Sequence, residues 1–188
     1  MSQQELLKRI IKILDDLKIE YMVTGSVTSS LQGEPRSTHD LDLVVDLAEG
    51  AADRLLGALP PSDFYVSEPA IREALARRTT FNLVDLAGGD KVDFWILTDE
   101  PFDRSRFSRR RIAEALGLRF PVSAPEDTIL MKLRWAKLSG GSQKQFTDAL
   151  RGYEIQHGVL DLAYLNEWAS RLGVESLWQQ LRGEAIPL

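Results

Sequence analysis

Gly25-Ser26, followed by Pro35-Arg36-Ser37-Thr38-His39-Asp40-Leu41-Asp42-Leu43-Val44-Val45-Asp46, is the stretch that decides how this chain is read. The Gly-Ser pair closes an apolar run over residues 19–23, which reads as a strand, and leads into a short helix near 27–31. Fourteen residues after Ser26 come two aspartates spaced i, i+2, opening a second strand over about 41–47. Side chains at i and i+2 leave the same face of a strand. Asp40 and Asp42 therefore point one way, and Leu41 and Leu43 the other. Two carboxylates on one rigid edge are a ready ligand set for hard divalent cations, which take oxygen donors. Left alone, the pair repels and holds back a proton. The same two residues also fit a strand end whose acids simply face water.

A third carboxylate extends the pattern. Residues 91–97, Lys-Val-Asp-Phe-Trp-Ile-Leu, read as a strand in which Asp93 is the only acid. It follows an apolar run at 81–86 across Ala87-Gly88-Gly89-Asp90, a hairpin signature. A strand buried on both sides does not carry a lone carboxylate without a partner, and a cation shared with Asp40 and Asp42 would be one.

Gly-Ser, then Asp-x-Asp, then a later Asp on a neighbouring strand resembles the polymerase-β-like nucleotidyltransferase superfamily. Arg36-x-Thr38-x-Asp40-Leu41-Asp42-Leu43 looks like its small bacterial members of the toxin–antitoxin and abortive-infection type. Pro125-Glu126-Asp127 leading to Lys132 is similar to a helix that follows their catalytic domain, so the resemblance covers about residues 19–150. It implies an α/β (α+β) nucleotidyltransferase fold, a mixed β-sheet flanked by helices, with an α-helical C-terminal part. It implies a metal-dependent enzyme using Mg2+ (or Mn2+) to move an NMP from an NTP to an acceptor, which could be a tRNA, a protein or a small molecule. Asp40, Asp42 and Asp93 would be the catalytic metal ligands. Gly25 and Ser26 would contact phosphate through backbone N–H groups at a helix start, with Arg36 and Lys132 as further nucleotide-binding residues and Asp148 in a similar position.

Plainer readings stand beside these roles. Gly25-Ser26 also fits an ordinary turn with a helix cap, Arg36 a solvent-facing arginine, and Lys132 a solvated helix lysine. Thr38 reads as loop support, and alternation aims His39 away from the aspartates. Arg104, Arg106, Arg109, Arg110 and Arg111 form the only dense basic cluster. They could track an RNA backbone or form a solvated helix face. The four tryptophans, Trp95 among them, read as core or interface.

Composition narrows the classes. The 188 residues allow one core, or one core with a helical appendage. No cysteine is present, which excludes disulfides, thiolate metal sites and a cysteine nucleophile. Two distant histidines make no His-rich metal site. No apolar run nears the ~20 residues of a membrane helix, and no signal peptide is visible, so cytoplasmic residence is expected. A net charge of −5 argues against a surface that grips nucleic acid everywhere.

Ser2 and Glu5 fit a capping box ahead of a helix whose apolar face is Leu6, Leu7, Ile10, Ile11, Leu14 and Leu17. Further helices are expected at 50–59 and 69–78, short strands at 64–66 and 118–122, and a second capping box at Ser123–Glu126. Helices then follow at 125–138, 144–156, 161–171 and 174–182. The expected division is an α/β domain over 1–122 and a helical region over 123–188 packed on it. A catalytically silent binding module, or an antitoxin-like member of a two-gene system with a cognate partner protein, is the main rival. Retention of all three carboxylates weighs against it. A nucleotide-sugar glycosyltransferase is the other, and the 39 residues ahead of Asp40 are few for its nucleotide-binding unit.

Overall fold

The computed structural model describes residues 2–33, 40–115 and 117–186. Among these, seven strands form one mixed sheet. At its centre β2 (Asp40–Asp46) lies between β1 (Glu20–Thr24), antiparallel to it, and β5 (Lys91–Ile96), parallel to it. Outward from β5 come β4 (Thr80–Asp85) and β3 (Phe64–Val66), each antiparallel to its neighbour. Outward from β1 come β7 (Leu118–Val122), parallel to it, and then β6 (Arg111–Ala115), antiparallel to β7. The architecture is the mixed α/β one the sequence implies, with strand boundaries within a residue or two of those read from alternation.

The chain divides into two compact units, residues 1–26 with 37–122 and residues 27–36 with 123–188. The first holds the sheet. Leu41, Leu43, Val92, Phe94, Phe81 and Leu83 share one sheet face and are all buried. Phe81 and Phe94, cross-strand partners, stack with centroids 4.9 Å apart. Helices α1 (Gln3–Asp16), α3 (Glu49–Ala58) and α4 (Glu68–Arg77) pack in succession on this unit, α1 against β1 and α4 against β4. The α1 capping box forms as expected, Ser2 and Glu5 satisfying each other's backbone N–H groups. Asp85 is fully buried at the end of β4. Its carboxylate accepts the N–H groups of Ala87 and Gly88 at 3.3 and 2.8 Å, closing the hairpin turn. Two elements of the first unit escaped the sequence reading: the arginine-rich stretch is not continuous, because α5 (Pro101–Ser108) ends inside it and β6 begins at Arg111.

The second unit is helical: α6 (Pro125–Leu138), α7 (Gln143–Gln156), α8 (Leu162–Arg171) and α9 (Glu175–Glu184), with most of α2 (Gly25–Gln32). Trp178 is buried in it, donating its indole N–H to Asn166 at 2.7 Å and meeting Tyr153 edge-on. The expected capping box at Ser123–Glu126 does not form. Pro125 takes the first helical position and Ala124 the cap. Glu126 instead turns inward, where its carboxylate accepts the N–H of Asp161 at 3.0 Å.

The linear division at residue 122 leaves residues 27–36 in the first part. Of these, the described residues 27–33 meet the helices by a close backbone approach: a Cβ on Gly33 would stand 2.9 Å from the Ser29 carbonyl oxygen and 3.2 Å from the Gly152 nitrogen. Gln156 also donates to the Gln32 carbonyl at 2.9 Å, and Gln32 to that of Ser123 at 2.6 Å. We expect Gly33→Ala to lower stability by about 1–3 kcal/mol through overpacking. Gly57→Ala, where an added Cβ meets nothing within 4 Å, should be neutral or stabilising. Urea unfolding of the two variants checks both, and equal midpoints would contradict the close approach.

Candidate active site

Register decides which side chains meet. Across the parallel β2–β5 pair, Asp42 is the partner of Asp93 and Asp40 the partner of Lys91. Asp40, Asp42 and Asp93 therefore lie on the same sheet face, opposite to Leu41, Leu43, Val92 and Phe94. Thr24 of β1 and Asn82 of β4 are the partners of Asp42 and Asp93 on their other sides, so they share that face. Asp40 is exposed, and Asp42 and Asp93 are half-buried.

Gly25 sits against this face. Its φ of +67° is a left-handed conformation, and a Cβ built there would stand 2.1 Å from Asp42 Oδ2. Both facts demand glycine. The absence of a side chain leaves the turn into α2 open beside a carboxylate, and Ser26 follows within the same turn.

Two residues of β5 shape the carboxylates, and neither was assigned to the site from sequence. Trp95 donates its indole N–H to Asp42 Oδ1 at 3.3 Å, while its ring packs on Met22, Val44, Leu97 and Phe107. The core role read from sequence is present, with a polar contact added. Lys91 holds its ammonium 3.4 Å from Asp93 Oδ2. The signal was available: 91, 93 and 95 share strand parity. With Asp93 turned to Lys91, no three acidic or histidine side chains among the described residues are gathered as closely as ligands on one ion.

Lys132 belongs to the second unit. Its ammonium lies 2.8 Å from Asp148 Oδ2, and the two side chains are only 7% and 11% exposed. Nearby acids of α6 are also internal, Asp127 accepting the Tyr164 hydroxyl at 2.6 Å. Arg36, with Thr38 and His39, lies outside the described residues.

The arginine cluster is largely engaged within the chain. Arg106 is buried and pairs with Asp103 at 2.9 Å. Arg104 reaches Asp99 at 2.5 Å and Asp46 at 3.7 Å, and it holds the Asp99 carboxyl below the usual carboxylate range through that hydrogen bond. Arg110 meets Glu20 at 3.0 Å and lies 4.2 Å over the Phe107 ring.

No family model matches. No curated protein matches by sequence. Among solved structures, an antigenic nucleotidyltransferase-like protein from Paracoccidioides brasiliensis aligns with a TM-score of 0.57 at 16% identity, covering 98% of this chain and 94% of that one. The lincosamide antibiotic adenylyltransferase LnuA, lincomycin-bound, aligns at 0.56 and 13% identity, covering 82% and 98%. The antibiotic-resistance factor ANT(2'')-Ia aligns at 0.51 and 12%, covering 96% and 93%. The chain has the nucleotidyltransferase fold. Within that fold, β1, the Gly25 turn, β2 and β5 are the elements that carry the carboxylate face.

Two outcomes follow. Gly25→Ala should lower stability by about 1–3 kcal/mol and move the Trp95 indole N–H resonance, because the methyl displaces the carboxylate that the indole donates to. An unmoved resonance, assigned with Trp95→Phe, would contradict the Gly25–Asp42 contact. Lys132→Met should cost about 3–5 kcal/mol by stranding the buried Asp148 carboxylate, and Lys132→Met with Asp148→Leu should recover much of it. Equal losses in the single and double variants would show that the pair is not coupled.

Proposed function

We propose that this chain is a Mg2+- or Mn2+-dependent nucleotidyltransferase that moves an NMP from an NTP to a hydroxyl of a small molecule. The observation that carries this is the β2–β5 register, which places Asp42 beside Asp93, with Asp40 on the same face and Gly25 against Asp42. The donor chemistry suits a hard divalent cation, carboxylate oxygens on two adjacent strands beside a bare backbone turn, and gathering them on one ion requires Asp93 to leave Lys91. Asp40, Asp42 and Asp93 would hold the ion. When bound, it offsets the charge of the triphosphate and polarises the α-phosphate.

The chain's own groups do the rest. N–H groups at the Gly25-Ser26 turn and the Ser26 hydroxyl bind phosphate oxygens, and the missing Cβ at 25 lets them approach. The acceptor oxygen attacks the α-phosphorus, the bond from that phosphorus to the bridging oxygen breaks, and pyrophosphate leaves. Asp93, half-exposed on the same face, takes the proton of the attacking hydroxyl. A nucleotide role for Lys132 has to share its ammonium with Asp148, to which it is already paired.

Two observations support a small-molecule acceptor over RNA. Arg104, Arg106 and Arg110 already face carboxylates of the chain itself. Two of the structures with this fold are antibiotic-modifying or antibiotic-resistance proteins by their own descriptions, aligning over most of both chains. A toxin–antitoxin setting and a cognate partner protein rest on the sequence resemblance, and a cytoplasmic location on the expectation from sequence.

Incubation with each α-labelled NTP and Mg2+ or Mn2+ against small-molecule, RNA and protein pools tests the proposal. Label should enter the small-molecule fraction, and Asp42→Asn and Asp93→Asn should each reduce transfer by roughly 10²-fold or more. Transfer that survives Asp42→Asn would remove the metal site. Nucleotide binding without transfer to any pool would favour the silent binding module.

A further inference from the structure

We infer that Lys91 is a built-in competitor for the divalent cation, keeping the acidic face from taking up a free metal ion so that the cation enters with the triphosphate. This rests on the metal-dependent reading above and adds a residue to it. Lys91 opens β5 as the register partner of Asp40, and its ammonium sits 3.4 Å from Asp93 Oδ2. Its ammonium thus lies on the sheet face that carries Asp40, Asp42 and Asp93, in contact with Asp93. A divalent ion bound through Asp93 would lie ~2.0–2.6 Å from a carboxylate oxygen, and the ammonium holds one of those oxygens.

Two cations on one carboxylate repel, so bound lysine and bound free metal exclude each other in proportion to their charge. The lysine side chain is 40% exposed, so it is not fixed in a core. An exposed pair of this kind contributes little to folding. Its worth lies in the charge it places on the face. Lysine is also suited to leaving: a four-carbon stem carries three rotatable donors. A triphosphate brings anionic oxygens that take the ammonium from Asp93, freeing that carboxylate for the ion that arrives with the nucleotide. Arginine would retain the competition, whereas an uncharged side chain of similar length would abolish it.

The test is titration of the full chain with Mn2+, following the electron paramagnetic resonance signal of the free ion, for wild type, Lys91→Met and Lys91→Arg. Without nucleotide, Lys91→Met should bind Mn2+ about tenfold more tightly than wild type, Lys91→Arg should resemble wild type, and Mn2+ should raise the Tm of Lys91→Met by the larger amount. With the preformed Mn2+ complex of α,β-methylene ATP as the titrant, followed by calorimetry, the gap should narrow, since the triphosphate takes the ammonium from Asp93. Equal Mn2+ affinity of wild type and Lys91→Met without nucleotide would overturn the competition and leave the metal site standing. A gap that nucleotide does not narrow would overturn the order of entry. Absence of Mn2+ binding in every protein, with and without nucleotide, would instead overturn the metal-dependent reading and this inference with it.

Discussion

Like charges held on one face of a sheet are the constraint around which this structure is arranged. Carboxylates on adjacent strands repel one another. Here Asp42 and Asp93 are partners on adjacent strands in the middle of a sheet, with β1 and β4 flanking them. The opposite side chains of the same strands, Leu41, Leu43, Val92 and Phe94, are buried almost completely. Sliding either strand by one residue would exchange the two faces. The apolar core thus fixes the acidic register, and the repulsion is borne by burial on the other side.

The same constraint explains the neighbours. Trp95 places an N–H on Asp42 while its ring extends the apolar cluster of Met22, Val44, Leu97 and Phe107. It ties the orientation of a carboxylate to packing, so that carboxylate cannot turn without disturbing the cluster. Gly25, directly after β1, acts on the same group from the other side. Its left-handed backbone is ordinarily read as a requirement of the turn. At this position the 2.1 Å approach of a hypothetical Cβ to Asp42 imposes glycine independently. A glycine in the phosphate-binding turn and an aspartate in the metal-ligand motif are therefore one steric unit, though seventeen residues separate them in sequence.

Legibility followed locality. Strand parity needs only the strand itself, and it placed Asp40, Asp42 and Asp93 on faces that the register reproduces. Alternation and caps located β2, the hairpin around Gly88-Gly89 and α1 for the same reason. Several misses were contacts between segments distant in the chain, and one followed from a local helix, α5, that was not read. Composition presents Arg106 as one more cation in a run, whereas it is buried against Asp103 in α5. The approach of Gly33 to Gly152 joins residues more than a hundred positions apart and moves α2 into the helical unit. Ser123 and Glu126 had the spacing of a capping box, but proline at the first helical position moved the cap and released Glu126 to the interior. Lys91 and Trp95 were different: parity would have found them, and typical lysine and tryptophan roles obscured it.

The acids of the two units differ in how their charge is met. In the helical unit, Glu126, Asp127 and Glu154 are buried and the Asp148 side chain is only 11% exposed. Glu126, Asp127 and Asp148 are met by the N–H of Asp161, the Tyr164 hydroxyl and the buried Lys132 ammonium, and Glu154 by the half-exposed Arg151 with the N–H of Ile186. Removing any of those donors strands a charge in a medium that cannot solvate it, which makes such pairs part of the fold. The carboxylates of β2 and β5 remain within reach of water, and the cation beside Asp93 is a half-exposed lysine on a flexible stem. A fixed charge pair serves a state that does not change. A same-sign cluster left near solvent, braced by the core and met by a movable cation, is an arrangement for charge that changes hands during a reaction.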